Sequence, residues 1–81
     1  MENSKSVITI NDYGKITVHI KEIMDSKGIT RNFLAKASNT RFEVINKWYN
    51  DQVEKMDLDI LARICYVLDC SPADIIKYSH K

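Results

Sequence analysis

The chain has 81 residues, of which 44% are hydrophobic, so it is long enough for one domain with one small core and too apolar for a disordered tail. Its formal net charge of +1 argues against a protein that attracts nucleic acid over its whole surface. Charged residues interrupt the longest apolar runs within a few positions, so we expect neither a signal peptide nor a membrane span, and we place the protein in the cytoplasm.

The amino-terminal region contains two short β-favouring stretches. Val7–Ile10 and Lys15–Val18 flank the turn-forming residues 11–14, a pattern that predicts a small hairpin. Because two strands alone are marginally stable, such a hairpin must pack on the rest of the domain or pair with a second chain. The alternative is a disordered arm that leads into the first helix, and the sequence leaves both open.

Two helices are predicted next. The first runs from about Val18 to Lys27 and ends at Gly28, which suits a left-handed cap. Thr30 is a good N-cap for the second helix, over about 31–38. Its apolar residues Leu34 and Ala35 are placed to bury that helix.

The third predicted helix spans about Arg41 to Asn50. Asn39 precedes it and tolerates a positive φ, so the connection over residues 38–40 is short enough to indicate a helix-turn-helix. Val44, Ile45 and Trp48 recur at the spacing of one helical face and predict the buried side.

The last part of the chain contains two more predicted helices. Asp57 caps the fourth, and Ser71, followed by a proline and an acid, opens the fifth. Their predicted buried residues are Leu58, Leu61, Ile64, Cys65, Leu68, Ile75 and Ile76.

Residue types that carry metal or catalytic chemistry are sparse. Cys65 and Cys70 lie five positions apart without the Cys-x-x-Cys or His-rich surroundings of a metal site, so we expect reduced structural thiols. His19 and His80 are far apart and have no evident acid-base partner. We therefore expect no enzyme, no catalytic residue, no metal, no cofactor and no small-molecule effector.

Several motifs together resemble the Cro and phage-repressor type (Xre) family. The opening Thr30-Arg31-x-x-Leu34-Ala35 is similar to the family's Thr-Gln-x-x-Leu-Ala, and Asn39 stands where the family usually has Gly. Ile45 and Trp48 match the apolar anchors of its third helix. The run MDLDILARICYVLDCSPADIIKY resembles its fourth and fifth helices, so the resemblance covers about Val18 to Tyr78.

This resemblance implies an all-α, five-helix lambda-repressor-like domain over residues 18–81, with residues 1–17 as an arm or short hairpin. It also implies binding of double-stranded DNA by a small transcriptional regulator, most often a repressor. In a helix-turn-helix the second helix of the motif enters the major groove and the first crosses the backbone. Carried over by position, the base-facing residues are Phe42, Glu43, Asn46 and Lys47, and the phosphate-facing residues are Arg31, Thr40, Arg41, Asn50 and Lys55.

The charge distribution favours the same segment, since residues 31–55 have five basic and three acidic side chains, a local charge of +2. Lys47 can donate to guanine, Glu43 can accept from cytosine N4, and Phe42 can cover a thymine methyl group. For each of these residues the alternative is a structural role without DNA contact. Glu43 and Lys47 are four apart and could form a helix-surface ion pair, and Phe42 could pack on the core.

One small domain reads few base pairs, so we expect a homodimer on a twofold site, with the Val7–Val18 region or the last helix as interface. Two other functions remain open. The same fold could serve as the antitoxin of a toxin–antitoxin pair. It could also be a protein-binding module with weak or no DNA affinity, as the near-neutral charge and Glu43 suggest.

Overall fold

The computed structural model describes residues 13–80, which form five helices and one two-stranded antiparallel sheet. The elements in chain order are β1 (Lys15–Val18), α1 (Ile20–Lys27), α2 (Arg31–Ala37), α3 (Phe42–Tyr49), α4 (Leu58–Leu68), α5 (Pro72–Ile75) and β2 (Ile76–Ser79). The predicted five-helix class is confirmed, with the sheet added to it. Val7–Ile10, the first strand of the predicted hairpin, lies outside the described residues. Within them, no helix is both long and apolar enough to cross a membrane.

The sheet joins the two ends of the described chain. Val18 lies opposite Ile76 in the register, and the His19 N–H donates a hydrogen bond to the Ile75 carbonyl oxygen at 2.7 Å. This pairing changes two predicted boundaries. Ile76, expected in the last helix, begins β2, and the first helix begins at Ile20 rather than Val18 because Val18 belongs to β1.

The helix ends follow the predicted capping residues. Thr30 Oγ1 accepts a hydrogen bond from the Phe33 N–H at 3.1 Å, and Asp57 Oδ1 accepts one from the Asp59 N–H at 2.8 Å. These side chains satisfy backbone donors that have no partner in the first helical turn. Gly28 ends α1 with a φ of 68°, a conformation that costs glycine little. The starts of α2 and α4 and the end of α1 are thereby confirmed.

The turn between α2 and α3 is braced by α4. Asn39 adopts a φ of 52°, as its residue type allows. Arg63 Nη1 donates to the Asn39 carbonyl oxygen at 2.9 Å, and Arg63 Nη2 forms an ion pair with Asp59 Oδ2 at 2.8 Å. The Thr40 N–H donates to the Ala35 carbonyl oxygen at 2.9 Å. The relative placement of α2 and α3 therefore depends on a third helix as well as on the turn itself.

One hydrophobic core lies between the helices and the sheet. Trp48 is 3% exposed and anchors α3, as its spacing from Ile45 predicts. Leu58, predicted as a buried residue, is instead 74% exposed, because it is the first residue of α4 and the core begins one turn later at Leu61. The fully buried large side chains are Ile20, Met24, Leu34, Ile45, Ile64, Leu68 and Ile75.

Candidate nucleic-acid interface

The helix α3 has one buried side and one outer side. Ile45 and Trp48 are buried on the first, which leaves the outer side no role in the core. Phe42 is 41% exposed, so it is only partly covered. Residues four apart are neighbours on a helix surface, so the outer side forms two adjacent rows. These rows contain all four residues predicted to face bases, Phe42, Glu43, Asn46 and Lys47.

Glu43 and Lys47 occupy one of these rows and are both exposed. The alternative for this pair was a surface ion pair across one helical turn. Among the ion pairs that the structure describes between residues 13 and 80, none joins these two side chains. Their charged groups are therefore available to an external partner.

Arg31 connects α2 to the other row of the outer side, which contains Phe42 and Asn46. Its Nη1 donates a hydrogen bond to Asn46 Oδ1 at 2.6 Å, and Asn50 Nδ2 donates to the same oxygen at 3.4 Å. The guanidinium carbon of Arg31 lies 4.7 Å from the centre of the Tyr49 ring and 6.0 Å from that of Phe42. Cations are attracted to aromatic faces at such distances. Two predicted phosphate residues, Arg31 and Asn50, thus contact a predicted base-facing residue.

Tyr49 is held in place from the far side by α1. Its hydroxyl donates to Asp25 Oδ1 at 3.0 Å, while Lys21 Nζ lies 3.2 Å from Asp25 Oδ2. The hydrogen bond from Lys21, followed by that from Tyr49, keeps the pKa of Asp25 below its ordinary value. The same hydrogen bond from Lys21 to Asp25 raises the pKa of Lys21. Both charges therefore persist over the physiological pH range, and the ring beneath Arg31 has a fixed support.

The start of α3 and the face of α2 enclose a shallow groove of 510 Å³. Thr40 and Arg41, both predicted phosphate residues, line it together with Asn32 and Lys36. The Thr40 hydroxyl donates to the Ser38 carbonyl oxygen at 3.1 Å, so it must release that oxygen before it can donate to a phosphate. Arg41 is exposed and supplies the N-cap position of α3. The groove therefore combines two cationic side chains with the amino-terminal end of a helix, an arrangement that suits a phosphate.

A second groove, of 810 Å³, runs between β1, α3 and the loop that follows α3. Lys15, Lys47 and Lys55 line it, so the sheet brings a third lysine to the two that the sequence predicts. Asp51, Glu54 and Asp57 also line this groove, so three acidic side chains balance the charge of its three lysines. The lysines suit a nucleic-acid backbone along the edge of the groove rather than deep within it.

The profile of the Cro/C1-type helix-turn-helix DNA-binding domain matches residues 19–81. The chain belongs to this family. Nearly all described residues after β1 fall within the match, including every predicted contact residue. The Xre resemblance, inferred for about Val18 to Tyr78, is thereby confirmed.

Two solved structures share the fold of this Cro/C1-type domain. One is a protein from Bacteroides fragilis provisionally described as DNA-binding, with a TM-score of 0.69, 22% identity, and coverage of 78% of this chain and 100% of that chain. The other is the transcriptional regulator VanUg, with a TM-score of 0.68, 17% identity, and coverage of 95% and 100%. At these identities the likeness shows the fold alone. No curated protein matches the chain in sequence.

Sequence reasoning missed three residues that line the candidate interface of this Cro/C1-type domain. Asn32 and Lys36 lie four apart on α2, so a count of helical spacing could have found them beside the α2–α3 groove. Lys15 carried no such signal, because only its pairing with the end of the chain brings it near α3. The contact of Arg31 with the Tyr49 ring was also missed, since it needs the packing of α2 on α3.

The remaining chemistry of the Cro/C1-type domain concerns its thiols. Cys65 and Cys70 are free and half-buried, and burial raises the pKa of Cys70 above the ordinary thiol value. A raised pKa keeps the thiol protonated and weakens it as a nucleophile or ligand at neutral pH. Across residues 13–80 there is no group of three or more His, Cys, Asp or Glu side chains arranged to hold a metal ion.

Proposed function

We propose that this Cro/C1-type domain is a small transcriptional regulator, acting as a repressor, that binds double-stranded DNA sequence-specifically with α3 in the major groove. The observation that carries the proposal is the division of α3. Its buried side is fixed to the core by Ile45 and Trp48, while the outer side contains three polar residues and Phe42 and is free of ion pairs among the described residues. A helix anchored in this way can meet base edges without unfolding the domain.

The base-facing roles follow from side-chain chemistry. Lys47 donates to guanine O6 or N7, Glu43 accepts from cytosine N4, and Phe42 covers a thymine methyl group. Asn46 lies beside them on the outer side of α3. The proposed phosphate-facing residues, which position the domain without reading sequence, are Arg31, Thr40, Arg41, Asn50 and Lys55.

We also propose that two copies bind one twofold site, with α3 of each copy in successive major grooves about one helical turn apart. The two candidate interfaces are the Val7–Val18 region and the last helix. Lys15–Val18 of the first forms β1, which pairs with β2, the strand that directly follows α5. Sedimentation should find two chains per duplex. A single chain on its selected duplex would refute the dimer. Because the partner is duplex DNA, the proposed place of action is the cytoplasm.

The test of DNA binding is a selection from random duplexes, followed by a salt titration on the enriched duplex and on a scrambled one. The three charged phosphate-facing residues predict, for each copy, that log K falls against log salt with a slope of roughly −3, or roughly 40-fold from 50 to 200 mM. The enriched duplex should bind more tightly than the scrambled one at every salt concentration. No enrichment and no salt response would overturn the proposal.

A second candidate is a protein-binding module, including an antitoxin component, and one surface feature favours it. Phe33 on α2 is 56% exposed and Phe42 on α3 is 41% exposed, and Glu43 adds a negative charge next to Phe42 in the sequence. Exposed aromatic residues are typical of protein interfaces. A flat or absent salt response in the titration would favour this candidate.

A further inference from the structure

The amide group of Asn46 has a fixed orientation on the outer side of α3. Its Oδ1 accepts hydrogen bonds from Arg31 Nη1 at 2.6 Å and from Asn50 Nδ2 at 3.4 Å. An amide oxygen has two acceptor positions, so the two donors occupy both. The contacts described for residues 13–80 leave the Nδ2 amino group without a partner. Asn46 therefore presents two N–H donors and no acceptor to an incoming ligand.

Arg31 is held in the position where it makes this contact. Its guanidinium lies 4.7 Å from the centre of the Tyr49 ring, and the Tyr49 hydroxyl is bonded to Asp25 at 3.0 Å. The hydrogen bond from a charged guanidinium is short and roughly twice as strong as a neutral one. A base that required Oδ1 as its acceptor would have to displace Arg31 from this arrangement.

The common pairing of asparagine with adenine needs both ends of the amide, because Oδ1 accepts from adenine N6 while Nδ2 donates to N7. Guanine presents only acceptors, O6 and N7, at the same edge. We propose that the Arg31–Asn46 pair is a donor-only reading unit that selects guanine and rejects adenine at one base position. This inference rests on the proposed function and assigns a specificity to Arg31 in addition to a phosphate contact.

The experiment compares motifs that wild-type protein and its variants enrich from random duplexes. Asn46→Ala identifies the base position in question, because preference should be lost there and kept elsewhere. Arg31→Ala frees Oδ1, so the guanine-to-adenine ratio at that position should fall by roughly tenfold or more. In the Asn46→Ala background, adding Arg31→Ala should not change the guanine-to-adenine ratio further. Arg31→Met keeps the packing of the aliphatic part of the side chain and removes the N–H donors, so it replaces Arg31→Ala in the experiment if that variant does not fold.

Arg41→Ala is the matched control, because it removes one exposed charge from the same surface without touching Asn46. It should weaken binding to all duplexes without changing the guanine-to-adenine ratio. Wild-type preference for adenine at the identified position would overturn the inference. So would an unchanged ratio in Arg31→Ala, or an Asn46→Ala motif equal to the wild-type motif. A pool from which wild-type protein enriches nothing would overturn the proposed function itself, and the inference with it.

Discussion

The backbone N–H of Val18 donates a hydrogen bond to Asp51 Oδ1 at 2.8 Å. Val18 is the last residue of β1, and Asp51 lies two residues after α3, so this bond ties the sheet to the end of α3. Asp51 also adopts a φ of 57°, in the left-handed region that few side chains tolerate. Asp51 thus has two roles: it adopts a left-handed backbone conformation, and its side chain accepts a hydrogen bond from β1.

Replacing Asp51 separates these two roles. Asp51→Ala removes the acceptor of a buried backbone donor and places Ala at a positive φ, so it should lower the free energy of unfolding by about 1 to 3 kcal/mol. Asp51→Asn keeps an oxygen acceptor and tolerates this φ, so it should remain near wild type. Denaturant unfolding measures both. Equal losses in the two variants would contradict this account.

Lys47 should read one base. Lys47→Ala is expected to weaken binding to the selected duplex by about 1 to 3 kcal/mol and to relax preference at a single position. The matched control is Lys27→Ala at the end of α1, which removes the same charge from outside the contact surface and the candidate dimer interfaces and should change affinity little. Titration of single-position duplex variants measures both effects. An equal loss on every duplex would assign Lys47 to the phosphate backbone instead.

Gly14 should be intolerant of any side chain. A Cβ atom at this position would lie 1.7 Å from the Ser79 carbonyl oxygen, so the backbones of the two chain segments would have to separate. Gly14→Ala should therefore destabilise the domain by about 1 to 3 kcal/mol, the usual cost of overpacking.

Gly28→Ala provides the comparison, because a Cβ at Gly28 would have nothing within 4 Å and only its φ of 68° opposes the change. It should cost about 1 kcal/mol. Thermal unfolding of both variants, with a probe of the sheet, distinguishes a steric from a conformational cost. A harmless Gly14→Ala would mean that the two segments move apart freely.

Acid should destabilise the fold through two carboxylates. The Ser71 N–H donates to Asp74 Oδ2 at 2.9 Å and the Ser71 hydroxyl at 3.2 Å, and these bonds lower the pKa of Asp74. The pKa of Asp25 is lowered by Lys21 and Tyr49. A lowered folded-state pKa stabilises the fold fully above the ordinary carboxyl pKa of about 4, and this stabilisation is lost as the pH falls through the folded-state value.

Unfolding midpoints between pH 2 and 7 test this linkage. Asp74→Asn and Asp25→Asn should each reduce the loss of stability on acidification, and the double variant should reduce it further. The variants should differ most from wild type near neutral pH and converge with it at the acid end. A slope equal to that of wild type in both variants would place the acid sensitivity in other groups.

The sequence predicts the helices well because their signals are local. The buried face of Ile45 and Trp48 and the cap at Thr30 each depend on residues within one or two turns, so spacing and residue type suffice. The strand at Ile76 could not be found in this way, since its partner lies about sixty residues earlier in the chain. The Arg31–Asn46 contact was missed for the same reason, because it joins separate helices.

The pairing of Lys15 with Ser79 has a mechanical consequence. The chain enters β1 and leaves β2 at the same end of an antiparallel ladder, so a force applied to the two ends of the domain loads one hydrogen bond at a time. Because the hydrogen bonds of such a ladder break one after another, the ladder has little resistance to the applied force. Tension applied at the two ends of the domain would therefore separate β1 from β2 first, while α3 and the helices packed against it stay together.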